Sequence, residues 1–195
     1  MSSPGRRRRP AGRLARADLQ AVVLSLGSNL GDRLANLQLG IDTLVTGGLT
    51  RPAVSGVYET VPIGGPAQDD YLNVVLLAGT ALSARDILGL AAAAETAASR
   101  VRTVRFGPRT LDVDIVAYGA ETSSDAELTL PHPRAHERAF VLAPWLDVDA
   151  EAVLPGRGTV AELLAAIGTD GVRRRPDLML TIRATAAEKE VVPCT

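Results

Sequence analysis

The chain has 195 residues, 46% hydrophobic and 22% charged, with 21 Lys and Arg against 22 Asp and Glu and a net charge of −1. That length buries a core as one domain without disulfides or a structural metal, and the single cysteine, Cys194, excludes an internal disulfide and fits a reducing, cytoplasmic setting. The charge balance argues against a dedicated nucleic-acid binder, and no run of roughly 18 apolar residues is present to span a membrane.

Lys189 is the one lysine, so the basic residues are almost all arginine and their placement matters more than their number. The first sixteen residues hold six arginines, two prolines and no acid. With no apolar face to pack, 1–18 reads as a flexible tail; arginine-rich, acid-poor starts also occur in transit peptides. From 21 the text changes. The run AVVLSL predicts a strand over 21–26, Gly27-Ser28-Asn29 a turn, and Leu34, Leu37, Ile41 and Leu44 one face of a helix over 30–45. Strands are predicted over 54–60 and 72–81, joined by a Pro-, Gly- and Asp-rich loop longer than a hairpin needs. Ser83 caps a helix over 84–99 that turns Ile87, Leu88 and Leu90 to the core and carries Glu95 late. A strand over 111–118 follows, then a Pro-punctuated turn and short helix within 132–147, and an amphipathic helix over 160–167. The residues after Arg183 read as a loose tail, leaving 19–183 as the single domain.

The order β-α-β-β-α-β is the ferredoxin-like pattern, an α+β sandwich of antiparallel sheet and flanking helices, here with C-terminal additions. The predicted helices fall on one face of that sheet. Fold alone leaves function open.

The densest chemistry is the run Arg100-Val101-Arg102-Thr103-Val104-Arg105-Phe106-Gly107-Pro108-Arg109-Thr110-Leu111-Asp112-Val113-Asp114. Alternation on a strand sends Asp112 and Asp114 to one face, roughly 6–7 Å apart at Cα. Two like charges that close suit a hard cation, and Mg²⁺ takes one or two carboxylates and completes its shell with water and phosphate oxygens. An isolated Asp-X-Asp is more often a solvated strand face, but the upstream arginines supply bidentate phosphate ligands that cannot lose their proton. Carboxylates for magnesium beside guanidiniums for phosphate fit phosphoryl-type transfer. Tyr71 and Asn73 share the other face from Leu72, and an amide beside an aromatic ring suits a flat heterocycle, although taken alone Asn73 reads first as a polar strand-edge residue. Glu95, near a helix C-terminus, opposes the macrodipole, which points to an arginine or a ligand hydroxyl as partner, although an exposed helical Glu is the commoner case. Both histidines, His132 and His136, lie in one segment without the further Cys or His of a zinc site. There is no P-loop signature and no spaced nucleophile, base and acid arrangement.

Gly27-Ser28-Asn29-Leu30-Gly31, Tyr71-Leu72-Asn73, the run from Arg105 to Ile115, and Pro131-His132-Pro133-Arg134 on to Phe140 resemble, in order, the signatures of the 6-hydroxymethyl-7,8-dihydropterin pyrophosphokinase family (2-amino-4-hydroxy-6-hydroxymethyldihydropteridine diphosphokinases) of folate biosynthesis. The resemblance covers about 21–160. It implies transfer of the β,γ-diphosphate of ATP to the pterin hydroxymethyl oxygen, with AMP released and two Mg²⁺ ions between substrate oxygens and Asp112 and Asp114. It implies pterin contacts from Thr60, Val61, Ile63, Tyr71, Asn73 and Phe140. ATP contacts are implied for Glu95, Arg100, Arg102, Arg109, Ile115, Thr129, His132 and Arg138, with Arg100 and Arg109 stabilising transition-state charge. Phe106 stands where well-characterised members carry tryptophan, Thr103 where a lysine occurs, and the segment between Arg100 and Phe106 is one residue short. Two other classes compete. A non-catalytic module binding nucleotide or RNA would call for exposed aromatics on the sheet, yet only 3% of residues are aromatic. Another magnesium transferase using Asp-X-Asp would have no use for Asn73. The expected partners are ATP and the pterin; a monomer is expected, with association to other folate-pathway enzymes left open.

Overall fold

The computed structural model describes residues 19–62, 67–99 and 107–183. The N-terminal segment 1–18, the tail 184–195, and Ile63, Arg100, Arg102, Thr103, Arg105 and Phe106 lie outside the described residues. The elements are β1 (Gln20–Ser28), α1 (Arg33–Thr46), β2 (Thr50–Val54), β3 (Tyr58–Thr60), β4 (Tyr71–Thr80), α2 (Ala84–Ala97) and β5 (Asp112–Tyr118). After them come β6 (Ser123–Ser124), β7 (Thr129–Leu130), α3 (Ala139–Val148), β8 (Val153–Leu154), β9 (Gly158–Thr159), α4 (Val160–Ile167) and β10 (Val172–Arg174). The main sheet runs β10-β3-β4-β1-β5, with β2 also on β4, and every pairing in it is antiparallel. This is the ferredoxin-like order, extended by β10 at one edge. Among the described residues no helix is long and apolar enough to cross a membrane.

The strand expected over 54–60 is broken into β2 and β3. Val54 faces Leu76 and Tyr58 faces Asn73, so three residues on one strand, Ser55 to Val57, oppose only Val74 and Val75 on β4. Ser55 absorbs the misfit: its N–H donates to the Val75 carbonyl (3.0 Å), and Val75 N–H donates to the Ser55 hydroxyl (2.9 Å). Such a bulge twists the strand and re-aims its later residues, here Thr60.

Alternation divides the strands between two cores. Val22, Leu24, Leu26, Leu72, Val74 and Leu76 join Leu37, Ile41, Leu44 and Ile87 of α1 and α2 in the larger cluster. Val23, Val75 and Val116 join Val141, Leu142, Trp145, Leu154 and Val160 in a second cluster on the opposite face. The C-terminal additions therefore cover the face that the β-α-β-β-α-β pattern alone leaves bare. Close packing of α1 depends on Gly40, where a Cβ would stand 2.8 Å from Leu111 Cδ2 and 3.1 Å from Leu26 Cδ2. That approach buries Leu111 fully and anchors the start of β5. Ser83 forms the expected cap as a full capping box with Asp86, worth about 1 kcal/mol. The core face of α2 is Ala84, Ile87, Ala91 and Ala94 rather than Leu88 and Leu90, which are only partly buried, because small residues let the helix lie close to the sheet.

Candidate functional site

The site begins where the second core ends. Along β1 the face that carries Val23 continues with Ser25 and Gly27; along β4 the face of Val75 continues with Asn73 and Tyr71; β5 contributes Asp114 and Asp112. The register sets Gly27 between Asn73 and Asp112, and Ser25 between Val75 and Asp114. One continuous sheet face thus passes from apolar under α3 to polar beyond it, and a pocket opens over the polar part. Its lining includes Ser25, Gly27, Thr60, Val61, Tyr71 and Asn73 on one side and Arg109, Asp112, Asp114, Arg138 and Phe140 on the other.

Asn73 is only 4% exposed, and its Nδ2 donates to Thr60 Oγ1 at 2.7 Å. That bond orients the amide and leaves Oδ1 over Gly27, where a Cβ would lie 2.9 Å away. A side chain at position 27 would fill the floor between the amide and the carboxylates.

Each carboxylate of β5 has its own guanidinium. Asp112 is hydrogen-bonded to Arg109, three residues earlier, and Asp114 accepts from Arg138 Nη1 at 2.8 Å. Arg138 also lies 5.5 Å from the Phe140 ring centroid, so one cation joins the acidic strand to an aromatic wall. An arginine just before a helix opposes the macrodipole of α3, and Asp114 compensates it. The four side chains are 20–36% exposed, partly dried but reachable by a ligand.

His132 stands behind this pair. A bulge in β5 leaves Val116 as an extra residue opposite β1, and His132 N–H donates to its carbonyl (2.9 Å). His132 Nε2 is then 3.8 Å from Asp114 Oδ2, while Nδ1 accepts from Arg134 N–H at 3.1 Å. Burial is the main cause that lowers the pKa of the imidazole; Asp114 pulls the other way and Arg138 adds to the lowering. A neutral ring with Nδ1 accepting carries its proton on Nε2, toward Asp114.

Asn29, 1% exposed, ties the two sides together. Its Oδ1 accepts from Arg109 N–H (2.7 Å), its own N–H donates to the Arg109 carbonyl (3.0 Å), and its Nδ2 donates to Gln68 Oε1 (2.9 Å) and the Asp69 carbonyl (3.1 Å).

Residues 23–150 match the model of the 7,8-dihydro-6-hydroxymethylpterin-pyrophosphokinase (HPPK) family. The chain belongs to this family. It is 46% identical over 189 residues to the 2-amino-4-hydroxy-6-hydroxymethyldihydropteridine pyrophosphokinase of Mycobacterium leprae (strain TN), a span of 88% of this chain and 97% of that one. The enzyme of the same name from Mycobacterium tuberculosis (strain ATCC 25618 / H37Rv) is 45% identical over 179 residues, 83% of this chain and 94% of that protein. Among solved structures, Plasmodium falciparum HPPK-DHPS, wild type with SDX-DHP, superposes with a TM-score of 0.61 at 14% identity. That match takes in 82% of this chain and 48% of the other, so this chain spans about half the length of the HPPK-DHPS chain. The likeness at that identity concerns the fold.

Against the family expectations, the structure brings Thr60, Val61, Tyr71, Asn73, Arg109, Asp112, Asp114, Arg138 and Phe140 to one pocket. Val61 is 62% exposed there. Other expected residues sit elsewhere. Glu95 Oε1 accepts from Val113 N–H at 3.0 Å, which clamps the end of α2 to β5, a backbone amide where an arginine or a ligand hydroxyl was expected. The Ile115 side chain is buried in the larger core. Thr129 Oγ1 donates to the Asp125 carbonyl at 3.0 Å. The HPPK pocket also recruits Ser25, Gly27, Pro62, Gln68, Arg134 and Glu137, which the sequence alone did not place there. The interruption of an apolar strand by Ser25 and Gly27 was the available signal.

Among the described residues no group of three or more His, Cys, Asp or Glu has the arrangement of a metal cage. The donor set is two carboxylates on one open face, which suits Mg²⁺ sharing its shell with water and substrate phosphates and does not suit an all-protein site.

Proposed function

We propose that the chain transfers the β,γ-diphosphate of ATP to 6-hydroxymethyl-7,8-dihydropterin, releasing AMP, as an Mg²⁺-dependent member of the HPPK family within folate biosynthesis. The observation that carries the reading is the placement, on one sheet face, of an oriented amide at Asn73 and a carboxylate pair at Asp112 and Asp114, with only Gly27 between. Neighbouring strands are about 4.8 Å apart, so Asn73 and Asp112 are roughly 10 Å apart. That gap accommodates a bicyclic ring whose hydroxymethyl arm points at the carboxylates.

Asn73 hydrogen-bonds the pterin edge, held by Thr60, while Tyr71 and Phe140 flank the ring. Asp112 and Asp114 would hold two Mg²⁺ ions, which would supply charge neutralisation to the substrate phosphates. Arg109 and Arg138 each exchange a carboxylate oxygen for a phosphate oxygen, since both are charge-assisted partners of a guanidinium. The pterin oxygen forms a bond to Pβ and the bond from Pβ to the AMP oxygen breaks, AMP leaving with the electron pair and the hydroxyl proton passing to solvent. Positioning and electrostatics carry the step, and no strong base is required. Arg100 and Arg102 join the phosphate ligands in this reading, with Ile63 on the pterin side and Glu95, Ile115, Thr129 and His132 on the nucleotide side. The catalytic unit is 19–183, acting as a monomer.

The test is incubation of the protein with ATP, Mg²⁺ and the pterin, followed by nucleotide chromatography. Pterin-dependent AMP supports the reading, and ADP alone, or no turnover, contradicts it.

A further inference from the structure

Glu59 is a charged residue in a place that stability alone does not explain. It lies between Tyr58 and Thr60 on β3, on the face turned away from Asn73, and its side chain is only 10% exposed. Three guanidiniums converge on it. Arg33 Nη1 donates to Oε1 at 3.2 Å, Arg175 Nη1 donates to Oε2 at 2.8 Å, and Arg173, its neighbour in the β10 register, bonds the same oxygen. Burial alone would push the Glu59 carboxyl up, but the hydrogen bonds from Arg173, Arg175 and Arg33 outweigh it and hold the carboxyl below its ordinary value. Burying such a cluster costs desolvation that its attraction only roughly repays, so an apolar replacement would be about as stable. What the cluster supplies is geometry.

Arg33 has a second bond from the same nitrogen, to the Asp70 carbonyl at 2.6 Å. Glu59 immediately precedes Thr60, and Asp70 immediately precedes Tyr71. A single guanidinium therefore staples the two ends of the connection 61–70, which contributes Val61, Pro62 and Gln68 to the pocket. Arg33 is also the first residue of α1, where a cation opposes the helix dipole, and Glu59 compensates that placement. Behind Glu59, Arg173 and Arg175 belong to β10 and the residue after it, beyond the 23–150 that match the family model. The segment is itself anchored on both sides of this pairing: Arg175 makes a forked pair with Asp177 (2.9 and 2.7 Å), and Arg174, between the two, pairs with Asp147 of α3 at 3.3 Å.

We propose that Glu59 and Arg33 form a positioning clasp that sets the pterin side of the site, and that the C-terminal strand β10 acts on pterin binding through it. The inference rests on the pyrophosphokinase reading. Neither residue touches the substrate; both act through Thr60 and Tyr71. Loosening the clasp lets Thr60 drift from Asn73, which weakens pterin recognition while the carboxylates on β5, three strands away, keep their places.

The experiment is steady-state kinetics on the full chain carrying Arg33→Ala, Glu59→Gln, Glu59→Asp or Arg175→Gln, with KM for pterin, KM for ATP, kcat and Tm recorded for each. Arg33→Ala leaves Glu59 paired to Arg173 and Arg175, so it folds even where Glu59→Gln does not. The expected result for Arg33→Ala is a rise in pterin KM of roughly tenfold, the size of one lost charge-assisted bond, with ATP KM and kcat within about twofold of wild type. Glu59→Asp recovers part of the loss, and Arg175→Gln shows a smaller rise of the same kind. Unchanged pterin KM in Arg33→Ala, or equal losses in both KM values, overturns the clasp. Wild-type protein that makes no AMP overturns the function reading instead, so the two failures are told apart.

Discussion

Asn73 and Thr60 are joined by a diagonal side-chain bond between β4 and β3, Nδ2 to Oγ1 at 2.7 Å, and this bond decides which way the pocket amide faces. Thr60→Val keeps the shape and removes the acceptor, freeing the amide to turn. The expected outcome is a pterin KM raised about fivefold to tenfold with ATP KM unchanged, the size of one buried hydrogen bond. Asn73→Ala removes the reader itself and gives the larger loss. Pterin titrations by fluorescence on both variants check the order.

Gly27 is the floor between amide and acids. An added Cβ lies 2.9 Å from Asn73 Oδ1 and 3.5 Å from a Tyr71 ring carbon, and the amide oxygen has to give way. Gly27→Ala is expected to lower kcat/KM for pterin by roughly a hundredfold, the scale of an ångström-sized misplacement. Because only side-chain atoms must move, Tm changes little, and paired kinetic and thermal measurements separate the two effects.

Asp112 and Asp114 are expected to lose most activity on single replacement by Asn, by roughly a hundredfold or more in kcat, because the cation is no longer held against the phosphates. Added Mg²⁺ recovers part of the loss by mass action. Mg²⁺ titrations monitored by turnover report the shift, and circular dichroism shows the fold retained, since both carboxylates are at the surface of the pocket and not in a core.

The hydrogen bonds on Glu59 depress its pKa below the ordinary 4.5, so the unfolded chain binds its proton more readily than the folded one. Stability from this group is therefore fully present above about pH 4.5 and lost as pH falls through the folded pKa. Urea midpoints of wild type and Glu59→Gln should differ at about pH 7, and the difference should shrink as the pH falls below about 4.5 toward the folded pKa. The groups facing Glu59 are the guanidiniums of Arg33, Arg173 and Arg175.

The carboxylate pair was legible in the sequence because strand alternation is a local rule: Asp112 and Asp114 share a face whatever else the chain does. The Ser83 cap and the apolar spacing of α1 were legible for the same reason. The break between β2 and β3 was not, because it arises from the Ser55 hydroxyl taking a backbone donor on β4, which no run of residues encodes. Likewise β10 is three residues, Val-Arg-Arg, whose meaning lies in a partner more than a hundred positions earlier. The roles of Glu59 and Arg33 were hidden for that reason. Glu95, an acid near a helix C-terminus, was a visible misfit, and the Val113 amide is one of its partners.

In the proposed reaction both terminal phosphates travel together. The measurement that meets this most directly is turnover with ATP labelled with phosphorus-32 at the β or the γ position, in separate reactions. Both labels should appear in the pterin product, one for one with unlabelled AMP. A product that carries the γ label without the β label, with label-bearing ADP beside it, would contradict the account.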